Sequence, residues 1–144
     1  MSATASVDPR GPRFAAVVTT VVLAIVLVTE WWPLLAAQTV VFALGAFVGL
    51  HLAPYSVLYR VLIAPRLRPT SERENAAPLR FAQAVGFVFA LVGTVGYAFG
   101  LPVVGLIATA FALFAAFLNA AFDFCLGCEV YLLLQRVTPR TKRA

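Results

Sequence analysis

The chain has 144 residues, 62% of them hydrophobic and 12% charged, and its mean hydropathy is +0.92. Water-soluble domains carry about 25% charged residues, so this composition excludes a soluble enzyme and points to an all-α integral membrane protein. Lys and Arg number 11 against 6 Asp and Glu. In so apolar a chain that excess reads as cations sorted to the cytoplasmic face, and nucleic-acid binding is not expected.

Residues 1–13 form a short N-terminal segment carrying Arg10 and Arg13. Four apolar stretches follow, at 14–32, 33–52, 81–101 and 102–122, each close to the ~20 residues a helix needs to cross the hydrocarbon. The first lacks a small-residue cleavage site and a second follows at once, so it reads as a retained helix and not a signal peptide. Thr29 to Pro33 (TEWWP) and Phe99 to Pro102 (FGLP) are tight turns, with each proline suited to the first turn of the next helix. The expected fold is therefore four transmembrane helices arranged as two hairpins, 14–52 and 81–124. Trp31 and Trp32 stand where amphipathic rings mark a membrane interface.

The connection 53–80 opens with 54–62 (PYSVLYRVL), too short to span and expected to lie as an amphipathic helix in the interface. Residues 65–75 (PRLRPTSEREN) are polar and proline-bearing and read as a solvated linker. All eleven cations lie before the first hairpin, in this connection, or in the basic tail within 125–144, and neither hairpin turn has one. The positive-inside rule then makes both termini and the connection cytoplasmic in a multi-pass protein of the bacterial plasma membrane. An Arg-Phe-Ala triplet opens each hairpin, at Arg13 and again 67 residues on at Arg80, and the turn prolines Pro33 and Pro102 are 69 apart. A duplicated two-helix unit would produce this pattern, with its axis along the membrane normal.

The two cysteines form Cys125-Leu126-Gly127-Cys128, a spacing that random placement gives in roughly 1.4% of cases. Two thiols so placed can cycle between dithiol and disulfide, hold part of a metal site, or pass a sulfane sulfur. The alternative is that each packs as a small apolar side chain. The fourth span delivers them to the cytoplasmic boundary, a reducing compartment where a permanent structural disulfide is not expected. Gly127 is placed to loosen or end the helix, and a helix starting at Cys128 would lower its thiol pKa, whereas Asp123 and Glu129 act in the opposite sense. His51 ends the second span at the same depth, so Cys125, Cys128, His51 and Asp123 together offer a donor set for Zn²⁺. No second C-x-x-C or H-x-x-H completes that pattern, and no cofactor is expected.

Within the spans, Gln38, Thr39 and Thr94 are polar but not ionisable, which argues against a proton-coupled or charged-substrate pathway. Gly45 with Gly49, Gly96 with Gly100, and the pairs Ala115, Ala116 and Ala120, Ala121 supply small faces for helix packing within the chain or in a homo-oligomer. These faces motivate a second functional reading, a non-catalytic scaffold or subunit of a larger membrane complex.

Taken together, 7–16 (VDPRGPRFAA), 75–81 (NAAPLRF) and the F-C-x-G-C-x-x-Y of Phe124, Cys125, Gly127, Cys128 and Tyr131 resemble a family of small bacterial membrane proteins classed only as a domain of unknown function. The segment around Ser56 departs from the family by lacking a proline after the serine. The resemblance implies thiol or sulfur handling with a thioredoxin-like or rhodanese-like protein and fixes no activity. The leading expectation is a cytoplasmic-side C-x-x-C in which Cys125 and Cys128 exchange electrons or sulfane sulfur with a soluble thiol partner.

Overall fold

The computed structural model describes residues 6–7, 10–50, 54–66, 74–122 and 124–137. Six helices follow one another: α1 (Arg10–Thr29), α2 (Trp32–Ala43), α3 (Pro54–Leu58), α4 (Ala76–Ala98), α5 (Pro102–Phe122) and α6 (Leu126–Val137). A two-residue antiparallel ladder that the sequence reading does not contain joins β1 (Ser6–Val7) to β2 (Glu74–Asn75). It ties the segments that lead into α1 and α4, the first helix of each hairpin.

Among the described residues three helices are long and apolar enough to cross a membrane: Arg10–Thr29, Ala77–Ala98 and Pro102–Phe122. The second expected span is shorter. Helix α2 continues through a π-helical turn, Leu44–Val48, and the whole apolar run is Trp32–Val48, not 33–52. Gly49 stops it, with φ 147° and its N–H bonded back to the Leu44 carbonyl at 2.9 Å, a conformation that only glycine adopts without strain. Conversely α1 and α4 start several residues before their apolar runs, because Pro12 and Pro78 fall in first turns where no helical N–H is required.

The two hairpin turns close differently. At the first, Glu30 takes φ 56° and its N–H reaches the Val26 carbonyl at 2.6 Å. At the second, Gly100 has φ 81°, while the Leu101 N–H bonds Gly96 O at 2.7 Å and the Gly100 N–H bonds Tyr97 O at 3.5 Å, the paired bonds of a glycine-terminated helix. Gly96 and Gly105 then let α4 and α5 run in near contact, since a Cβ on Gly96 would stand 2.8 Å from the Gly105 nitrogen. Of the two expected small-residue pairs, then, one member packs and the other ends a helix.

A buried core of Leu23, Val26, Leu35, Phe42, Ala90 and Ala112 joins α1, α2, α4 and α5. The Thr39 and Thr94 hydroxyls meet at 3.3 Å, each also bonded to a carbonyl one turn back on its own helix, so both intramembrane polar groups are satisfied locally.

At the basic end the repeated arginines do equivalent work. From α1, Arg13 Nε donates to the Ala120 carbonyl near the end of α5 at 3.3 Å; from α4, Arg80 donates through Nε and Nη2 to the Ala46 carbonyl near the end of the α2 run, at 3.2 and 2.8 Å. Each caps terminal carbonyls that a helix cannot satisfy itself. The adjacent phenylalanines match too: Phe14 packs on Tyr59 with ring centroids 5.9 Å apart, and Phe81 packs on Tyr131 at 5.6 Å. Tyr59 follows α3 in the π-helical turn Tyr59–Ile63, which passes into a 3-10 turn, Ala64–Arg66, whereas Tyr131 belongs to α6. The Arg-Phe pair at the start of α1 thus makes contacts that match those of the Arg-Phe pair at the start of α4.

Helix α3 does not lie wholly on the surface. The Tyr55 hydroxyl donates to Gln38 Oε1 at 2.6 Å, and Gln38 precedes the end of the α2 run by nearly three turns. The start of α3 accordingly dips into the bundle end, leaving Val57, Leu58, Val61 and Leu62 exposed and Tyr59 buried.

Candidate functional site

Beyond α5 the chain bends back under its own helix, with the Phe124 N–H bonded to the Leu118 carbonyl at 3.2 Å. Helix α6 then begins at Leu126, so the break falls before the C-x-x-C and not at Gly127 or Cys128. Cys125 becomes the residue that caps α6. Its carbonyl accepts the Glu129 N–H at 3.0 Å and its Sγ accepts the Cys128 N–H at 3.1 Å, the role an oxygen side chain usually fills. Cys128 lies in the first turn, and the two cysteines are joined as a disulfide with Cα atoms 5.1 Å apart. The sequence reading had argued against a permanent bond of this kind; the first turn of a helix brings residues i and i+3 together and makes the bond geometrically accessible.

The cap places the Cys125 sulfur at the N-terminal, positive end of α6, with the Cys128 N–H as its donor. Because α6 starts at Leu126 and not at Cys128, it is the Cys125 sulfur that occupies the capping position.

Two contacts hold α6 in place. Gly127 rests directly on α4, where an added Cβ would meet the Ala82 Cα and Cβ at 2.7 Å. One turn on, Tyr131 covers Phe81. In the F-C-x-G-C-x-x-Y pattern the Gly and Tyr are thus the docking surface that fixes the two sulfurs against the bundle.

Next to the pair the bundle opens into a cavity of about 680 Å³, within the range of small-molecule sites. It extends from Cys125 and Leu126 at the basic end to Phe89, Phe111 and Ala112 near mid-bundle. Small side chains make the room: Ala15, Ala16, Ala82, Gly86, Ala115 and Ala116 all line it. Ala115 and Ala116, expected to form a packing face, both line it, Ala116 while also packing against the buried core. The cavity's polar groups are few, chiefly Tyr55, Ser56, Gln83, Asn119 and, the one charged group among the described residues, Arg60. Burial pushes the Tyr55 hydroxyl above its ordinary pKa, so it stays a neutral donor to Gln38. Nothing in the periodicity of the apolar stretches announces this space, because it arises where short side chains of α1, α4 and α5 face one another.

The zinc reading is weaker in what it can draw on. His51 and Asp123 lie outside the described residues, and among the described residues no three His, Cys, Asp or Glu side chains come together. The two remaining donors are bonded to each other.

No curated protein and no solved structure matches the chain. A family model described as a domain of unknown function, DUF4395, matches residues 7–136, from the β1 strand to the last turns of α6. The match takes in both hairpins, the cavity walls and the C-x-x-C, and the chain accordingly belongs to the DUF4395 family.

Proposed function

We propose that this protein is a four-span inner-membrane thiol protein whose Cys125/Cys128 pair exchanges electrons or sulfane sulfur with a soluble thioredoxin-like or rhodanese-like partner. In this reading both termini and the pair face the cytoplasm, and the hairpins with their following helices are two copies of one unit. The observation that carries it is the cap: a C-x-x-C held in the first turn of a helix, with Cys125 Sγ receiving a backbone N–H. Opening the disulfide with a soluble dithiol breaks the Cys125–Cys128 bond, forms the partner's disulfide, and transfers two electrons with the accompanying protons.

The scaffold and homo-oligomer readings rest on small-residue faces. Two of those glycines pack inside the chain, Gly45 on Gln83 and Gly96 on Gly105, and Ala115 and Ala116 line the cavity, while Ala121 is exposed. The thiol reading is preferred for the cap at Cys125, a feature that helix packing does not call for.

Single cysteine variants test it. Cys128→Ser should trap a mixed disulfide or a persulfide on Cys125 in cells, and Cys125→Ser should trap little. Equal absence of any adduct from both, with the proteins present at normal levels, contradicts the proposal.

A further inference from the structure

We infer that the cavity beside Cys125 is a binding site for a lipid-soluble quinone, which takes electrons from the Cys125/Cys128 dithiol. The inference rests on the thiol reading above and names the second reactant of that same site. A sulfur pair that serves only soluble partners needs no apolar chamber, yet Cys125 lines one of about 680 Å³.

Three properties of the chamber select the ligand. Its described lining contains no carboxylate and one cation, Arg60, among mainly apolar side chains, so it suits a neutral body. Its polar groups include Asn119, Gln83, Ser56 and Arg60, all able to donate hydrogen bonds to a ligand whose polar atoms are carbonyl acceptors. Phe111 and Phe114 both line the chamber and are 58% and 57% exposed. The chamber therefore reaches the apolar surface of α5, where a membrane-dissolved molecule has the shortest way in. A neutral, acceptor-only, two-electron carrier that resides in the bilayer is a quinone.

The step balances. Cys125 and Cys128 form one S–S bond, losing two electrons and two protons, and the quinone ring is reduced as its two carbonyl oxygens become hydroxyls. A soluble dithiol then reopens the disulfide, so electrons pass from cytoplasmic thiols to the membrane carrier.

The test uses the full chain in lipid nanodiscs, reduced, freed of reductant and kept anaerobic. The probe is a fully ring-substituted benzoquinone with a short alkyl tail, to which thiols cannot add at the ring. One quinone should be reduced per protein while two alkylatable thiols disappear. Ala116→Phe and Ala15→Leu, which fill the chamber, should slow quinone reduction tenfold or more, and dithiothreitol should still open their disulfides at the parental rate, which also shows that they fold. Quinone reduction unchanged by both fillings overturns the site. Cycling with soluble dithiols but none with quinone, as expected of a chamber that holds only an acyl chain, overturns the quinone and leaves the thiol reading intact. A wild-type pair that cycles with neither overturns both.

Discussion

Gly127 shows most directly how one residue positions the chemistry. Its Cα faces the Ala82 backbone with no room for a side chain, and backbone atoms do not yield as the tip of a long side chain does. Gly127→Ala should lower stability by about 1–3 kcal/mol and loosen α6, raising the rate at which the reduced cysteines are alkylated. Adding Ala82→Gly removes one of the two clashing atoms, so the double variant should recover part of the loss. Wild-type stability and alkylation in Gly127→Ala would mean that α6 is not seated as described. From the sequence alone the glycine reads as a helix breaker, because its spacing from the cysteines is visible and its partner, 45 residues earlier, is not. Cys125 is similar. The improbable C-x-x-C spacing draws attention to the pair, but the choice of Cys125 over Cys128 as the capped sulfur depends on where α6 starts.

At the scale of elements, the reciprocal arginine caps join the hairpins. Arg13 reaches the end of α5 and Arg80 the end of the α2 run, so each hairpin closes the other. Arg80→Gln should cost on the order of 1 kcal/mol and Arg13→Gln less, since Arg13 donates one bond and Arg80 two. Chemical unfolding in detergent measures both, and an Arg13 effect exceeding that of Arg80 would contradict the assignment. The Arg-Phe-Ala repeat and the turn prolines are legible in the sequence because they sit at membrane boundaries, where composition changes abruptly. Helix ends are less so. The π-helical turns at Leu44–Val48 and Tyr59–Ile63 leave no mark on an apolar run, which is why the second apolar stretch reads as a longer helix than Trp32–Val48. The matching of Phe14–Tyr59 with Phe81–Tyr131 is likewise hidden, because the repeat fades in sequence beyond the first helix of each hairpin.

For the molecule as a whole, few charges and the one-sided placement of the cations already point to a membrane bundle with a basic end. What the sequence does not display is that this end is hollow. Alanines at 15, 16, 82, 115 and 116 look like packing residues one helix at a time and enclose a cavity only when the helices are assembled around it. The pair and the cavity therefore meet at the basic end of the bundle. The central claim is that this pair is a redox-active thiol site facing the cytoplasm. Labelling with a membrane-impermeant thiol reagent, in intact cells and in inverted vesicles, each with and without prior reduction, tests it most directly. The account predicts labelling of Cys125 and Cys128 in inverted vesicles only, and a clear increase there after reduction; labelling from outside intact cells, or none in inverted vesicles after reduction, would contradict it.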